Sequence, residues 1–257
     1  MKKLTELFDK VFVINCSHRK DRLLNLKENF ELTGVADFTD VELFRGVNGH
    51  KVKTPPFWKW GRGAWGCYQS HCGVIEQVLN ADENYKSVLV LEDDVFFNTS
   101  SLVEINYLVN HLPTDWDQFY LGGQHCVLPE RTDNPLILRA KSVNRTHAYA
   151  LNSRVFKDFY AHLTNAPEFD KEDETHVDHH LQRAHESEMW NVYCPLKWVA
   201  GQMSGSSDVA HTKLSDGSVV KSTYTRRYWH PYNPNEGIDA NKAETYYLGD
   251  ETPTTAP

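Results

Sequence analysis

Glu92, Asp93 and Asp94 stand in line at the end of an apolar run, residues 87–91 (SVLVL). Carboxylates this close repel one another, and a cation among them is the natural compensation. A hard divalent ion takes oxygen ligands, commonly one or two carboxylates plus the phosphate oxygens of a substrate. Such an ion neutralises charge on a departing diphosphate. The competing reading is a solvated polar strand end, or a cap for the next helix. Apolar residues resume at 95–97, which weighs against a merely solvated end.

The elements around these acids decide where they sit. Residues 87–91 and 11–15 (VFVIN) are short, β-branched apolar runs of the kind that form buried strands. Residues 19–30 and 64–81 carry apolar side chains at helical spacing, with Ser17 as candidate N-cap of the first. Further helices are expected at 101–112, 153–163 and 177–185. Further strands are expected at 37–45, 119–121, 147–151, 192–194 and 198–200. Strands alternating with helices predict an α/β fold with a mostly parallel sheet flanked by helices. In such sheets ligands bind outside the carboxyl ends of the strands, where the acid cluster falls. The loop before residue 64 (KVKTPPFWKWGRG, 51–63) carries two Trp and four basic residues, and with Trp65 it offers rings to a ligand or to the core. The Ser/Gly-rich residues 204–207 read as a segment able to close over a bound ligand.

Composition narrows the function classes. A hydrophobic share of 40% supports a real core, and 257 residues fit one domain, here residues 1–245 with a loose tail at 246–257. The formal net charge of -8 disfavours a nucleic-acid partner. The basic stretches 51–62 and 213–227 keep that partner open locally. Five cysteines without a CxxC pair argue against a disulfide framework and against a zinc site. No apolar h-region follows the N-terminal lysines, and no run approaches a membrane span, so a cytoplasmic location is expected.

Four segments together resemble glycosyltransferase family 25, which includes lipopolysaccharide glycosyltransferases and procollagen galactosyltransferases. Residues 11–30 match its strand, polar turn and helix through Ile14, Asn15, Arg19, Asp21 and Arg22. Residues 66–79 match its G-C-x-x-S-H pattern through Gly66, Cys67, Ser70 and His71. Residues 91–94 (LEDD) are similar to the DXD-type motif, and residues 200–209 (AGQMSGSSDV) to a late Q…SD segment. The family often carries a Glu shortly before the Cys; residues 63–65 are Gly, Ala and Trp, so any role of that acid is missing.

The resemblance implies a GT-A fold with a Rossmann-like sheet, a nucleotide-sugar donor, and Mn²⁺ or Mg²⁺ at the DXD-type site. It places Asn15, Arg19, Arg22, Ser70, His71, Glu92, Asp93 and Gln202 against the donor. Asp94, Glu92 and His211 are the implied metal ligands. An inverting transfer needs a base for the acceptor hydroxyl, with Asp178 and Glu174 as candidates. Arg22 equally reads as a surface charge on an amphipathic helix, and His71 as a structural hydrogen-bonder. The implied activity is hexose transfer from a UDP-sugar to a hydroxyl acceptor, a glycan or lipopolysaccharide core. Two alternatives remain at this point. One is the same chemistry on hydroxymethylated bases of phage DNA, and the other is a catalytically silent sugar-binding protein.

Overall fold

The computed structural model describes the backbone of residues 1–58, 61–165, 176–213 and 219–224, with side chains for all of these except 210–213 and 219–224. Glu174, Trp60 and the tail at 246–257 lie outside the described residues, as does the side chain of His211.

The strands are β1 (Lys10–Asn15), β2 (Glu42–Arg45), β3 (Ser87–Glu92), β4 (Val95–Phe97), β5 (Gln118–His125), β6 (Glu130–Arg131), β7 (Ile137–Arg139), β8 (Val143–Asn152), β9 (Val192–Pro195), β10 (Ala200–Gln202), β11 (Gly205–Lys213) and β12 (Val219–Tyr224). The helices are α1 (Leu4–Leu7), α2 (Lys20–Thr33), α3 (Arg62–Leu79), α4 (Ser101–Asn110), α5 (Phe156–Thr164) and α6 (Val177–Glu186). Eight strands form one sheet in the order β2-β1-β3-β8-β5-β9-β7-β6. The ladders β1/β2, β1/β3 and β5/β9 are parallel, whereas β8 and β7 oppose their neighbours. β1, β2, β3, β5, β6 and β9 therefore share one direction, so the sheet is mixed but mostly parallel, as expected.

Alternation along the strands splits the core into two. Phe12, Val88 and Val90 face a cluster shared with Tyr68, Val74, Phe159 and Leu181 of α3, α5 and α6. Val11, Val13, Leu89 and Leu91 face the other cluster, with Leu26 and Phe30 of α2 and Ile105 of α4. Both faces of β1 and β3 are thus covered, which is why these strands read as continuous apolar runs rather than alternating ones.

Several elements depart from the sequence reading. The cap of α2 is Arg19, without a side-chain hydrogen bond, and not Ser17. β5 continues through Gly122 and Gly123 because a side chain at Gly122 would lie 2.3 Å from the Ala200 carbonyl, so only Gly lets β10 approach. Residues 198–200 do not enter the main sheet; β10 pairs antiparallel with β4 instead. Residues 204–207 lead into the β11/β12 hairpin, which the sequence did not announce. In the loop before α3, Trp58 is buried, 4.9 Å from the Trp65 ring and 5.8 Å from Tyr68, so it serves the core.

Gly66 explains part of the G-C-x-x-S-H pattern. A Cβ there would meet the Val47 carbonyl oxygen at 2.4 Å and the Gly49 nitrogen at 2.7 Å. Both are backbone atoms that cannot swing away, so the helix docks on the loop after β2 only with Gly. Replacing Gly66 by Ala should therefore destabilise the fold by about 1–3 kcal/mol, read as a lowered Tm in thermal denaturation. An unchanged Tm would show that the loop yields.

Candidate active site

β1 and β3 lie side by side and parallel, with Ile14 opposite Glu92. Their carboxyl ends therefore deliver Asn15 and the acid cluster to one edge of the sheet. There the acid cluster borders a cavity of about 270 Å³, near the lower end of ligand-pocket sizes. Arg19, Arg22, Ser70, His71, Glu92, Asp93, Asp94, Gln202 and Asp178 all contribute to its wall. Asn15 does not; it stands behind, with its amide nitrogen donating to Asp93 Oδ2 at 2.7 Å and to the Arg19 carbonyl at 3.1 Å.

The three carboxylates meet three different environments. Asp93 is tied back by Asn15 and by Arg22, whose Nη1 lies 2.9 Å from Oδ1. Burial still leaves its carboxyl raised, because it outweighs the Arg22 charge and both hydrogen bonds. Asp94 shares the same guanidinium, 3.0 Å from Oδ2, but its Oδ1 is buried without a hydrogen-bond partner. Burial, reinforced by the charges of Glu92 and Asp93, pushes Asp94 up to about 6 against the pull of Arg22 and a hydrogen bond from Gln202. Glu92 goes the other way. Burial opposes its ionisation, but the His71 ring beside it and the Thr146 hydroxyl, donating at 2.7 Å, leave its carboxyl lowered.

The arginines of α2 also clamp β11. Arg19 Nη1 and Arg22 Nη2 donate to the Ser206 carbonyl at 3.1 and 2.8 Å, and Arg19 pairs with Asp208 at 3.0 Å. Arg22 is thus no surface charge; its side chain is 17% exposed and bridges the acid cluster to β11. Asp208 and His18, 3.4 Å apart, belong to the same wall; the sequence marked Asp208 only as part of the Q…SD segment, without a role, and did not mark His18. Only contact across the fold reveals them.

Ser70 has a structural task. Its hydroxyl accepts from the Val47 amide at 2.8 Å and donates to the Gly66 carbonyl at 2.7 Å, pinning the loop after β2 to α3. His71 is fully buried, with Nδ1 2.9 Å from the Tyr149 hydroxyl and Nε2 directed toward Glu92. Asp178 sits in the first turn of α6, its carboxylate accepting from the amides of Arg145 at 3.3 Å and His179 at 3.1 Å. The backbone of His211 pairs with Lys221 in the hairpin.

Residues 8–181 match the family described as "Glycosyltransferase family 25 (LPS biosynthesis protein)". Mouse procollagen galactosyltransferase 2 is 26% identical over 143 residues, covering 48% of this chain and 22% of that protein. Procollagen galactosyltransferase 1-B of Xenopus laevis is 30% identical over 141 residues, with the same coverage. The matched region is thus about a fifth of the length of these relatives. Among solved structures, a glycosyltransferase involved in glycosylation of the major capsid of PBCV-1 superposes with a TM-score of 0.37 at 13% identity, covering 65% of this chain and 72% of that one. A Drosophila galactosyltransferase in complex with manganese, UDP-Gal and xylobiose gives a TM-score of 0.32 at 10% identity, over 58% and 51%.

The raised Asp94 pKa has a consequence for stability. The native state holds a proton that the unfolded chain has released, so ionising Asp94 erodes stability as pH rises from about 4 to about 6. That cost is fully present above this window. In metal-free protein, Asp94→Asn should be more stable than wild type at pH 7.5 by no more than about 3 kcal/mol, read as a higher Tm. The gain should shrink toward zero near pH 4. A difference independent of pH would contradict this assignment.

Proposed function

The chain belongs to glycosyltransferase family 25 and is a glycosyltransferase, and on that premise we propose that it moves a hexose from a nucleotide-sugar, a UDP-sugar, to a hydroxyl of a glycan acceptor. The observation that carries the donor site is Asp94 Oδ1, a carboxylate oxygen buried without a partner in the wall of the cavity that Glu92 also lines. A buried acceptor left empty is costly, and a hard cation is the ligand that suits it.

Two described residues suit such an ion: Asp94 and Glu92 would hold it, and His211, whose side chain lies outside the described residues, is the third ligand that the family resemblance implies. Asp93, already engaged by Asn15 and Arg22, keeps the cluster in place. When bound, Mn²⁺ or Mg²⁺ supplies charge neutralisation for the leaving diphosphate. The chain's own groups do the rest. Arg19 and Arg22 add fixed positive charge at the same wall, where guanidinium groups suit phosphate oxygens. Gln202 orients Asp94 through its hydrogen bond.

Asp178 lines the same cavity from α6 and is the proposed base. It takes the proton from the acceptor hydroxyl as that oxygen attacks the anomeric carbon, which gives inversion. The two backbone amides on its carboxylate keep an oxygen oriented without supplying a proton of their own to the reaction. Glu174, the other candidate, lies outside the described residues. A glycan acceptor agrees with the net charge of -8, which repels a polyanion. Among the described residues no helix is long and apolar enough to cross a membrane.

Two outcomes test this reading. Asp178→Asn should lower kcat for hexose transfer by about 100-fold or more while leaving donor KM within a few fold, measured as nucleoside diphosphate release with acceptor present. Chelation by EDTA should abolish turnover of the same donor, with recovery on adding Mn²⁺. Full activity in EDTA would contradict the cation site.

A further inference from the structure

Cys67 and His71 are four residues apart on α3, so their side chains lie on one face of the helix, one turn apart. That face turns toward the end of β3. There Cys67 Sγ, a His71 ring nitrogen and a Glu92 carboxylate oxygen all lie within 4.8 Å of one another. We propose that Cys67, His71 and Glu92 form a binding site for a thiophilic divalent cation, Zn²⁺, with its open coordination position toward the cavity.

Three observations support the site. First, His71 Nε2 is buried and has no hydrogen-bond partner, although it stands 3.5 Å from Glu92 Oε1. That spacing is close to the roughly 3.3 Å edge between nitrogen and oxygen ligands in a zinc tetrahedron. Second, the ring is already oriented by its other nitrogen, 2.9 Å from the Tyr149 hydroxyl. A hydrogen bond at Nδ1 that fixes the ring and leaves Nε2 to face the metal is the usual outer support of a zinc-binding histidine. Thr146 likewise steadies Glu92 Oε1 at 2.7 Å. Third, the donor set of thiolate, imidazole and carboxylate differs in softness from the all-oxygen acids at Asp93 and Asp94. Thiolate selects zinc over Mg²⁺ or Mn²⁺.

Binding releases the Cys67 thiol proton to solvent, and the thiolate, the His71 nitrogen and the Glu92 carboxylate replace water molecules of the hydrated ion. A motif search missed the site because its thiol and imidazole sit at helical spacing and its third ligand comes from another element. Glu92 belongs to both ligand sets, so zinc here would compete with the hard cation. That last clause rests on the donor-site reading above.

The test uses the full chain, metal-free, with Zn²⁺ titrated in competition with a chromophoric chelator and Co²⁺ as a spectroscopic probe. Wild type should bind one zinc, and its Co²⁺ complex should show thiolate charge-transfer absorption in the near ultraviolet. Cys67→Ser should lose that absorption and weaken zinc binding by at least about tenfold. Glu92→Gln should weaken zinc while retaining the absorption. Cys16→Ser, altering another thiol of the cavity wall, should change neither. Charge-transfer absorption that survives in Cys67→Ser, or zinc affinity equal in all three variants, would overturn the proposal. These readouts do not depend on sugar transfer. Absence of turnover in every sample would count against the transferase reading and leave the zinc result standing.

Discussion

Glu92, Asp93 and Asp94 place three negative charges on consecutive residues where little water reaches them, and the surrounding chain is arranged around that repulsion. Each acid is answered differently. Glu92 is stabilised by His71 and Thr146, Asp93 by Asn15 and Arg22, and Asp94 only in part, by one side of Arg22 and by Gln202. The answers come from β1, α2, α3, β8 and β10, so the cluster draws distant parts of the chain to one point. The incomplete answer at Asp94 is the chemically useful one.

That arrangement depends on close backbone approaches at a few positions. The parallel pairing of β1 and β3 sets Asn15 beside the acids. Gly66 lets α3 sit against the loop after β2, and Ser70 bonds the two together, which aims Cys67 and His71 at Glu92. Gly63, whose Cβ would lie 1.8 Å from the Asp208 carbonyl, lets β11 cross the start of the same helix. β11 is then held by Arg19 and Arg22, so the same two side chains close the cavity and balance its charge.

Much of this was legible in the sequence, for definite reasons. β1 and β3 are covered on both faces, and a continuous apolar run signals such strands well. Their carboxyl ends then located the acid cluster without knowledge of the tertiary structure. The paired ladder of β10 with β4 and the hairpin of β11 with β12 were not legible, because Gly- and Ser-rich strands carry no periodic apolar pattern. Ser17 looked like a cap because Ser often caps helices, but the chain enters α2 two residues later. The resemblance set Asp94 and Glu92 apart from Asp93 as metal ligands, but the separate partners of the three acids were hidden for another reason. Alternation along a strand predicts which side chains share a face, yet β3 ends at Glu92 and the next two acids occupy a turn. Asp208 was matched in the Q…SD segment but given no role, because its importance comes from contacts with Arg19 and His18, about 190 positions away in the chain.

The chain belongs to glycosyltransferase family 25, and the proposed function turns on one point: a divalent cation at Asp94 would couple this cluster to a nucleoside diphosphate. Calorimetric titration of UDP into metal-free protein, with and without Mn²⁺, tests it directly. The account predicts that Mn²⁺ strengthens UDP binding by at least about tenfold, and that Asp94→Asn removes the enhancement while the variant stays folded. UDP binding of equal strength with and without Mn²⁺ in the wild type would contradict it.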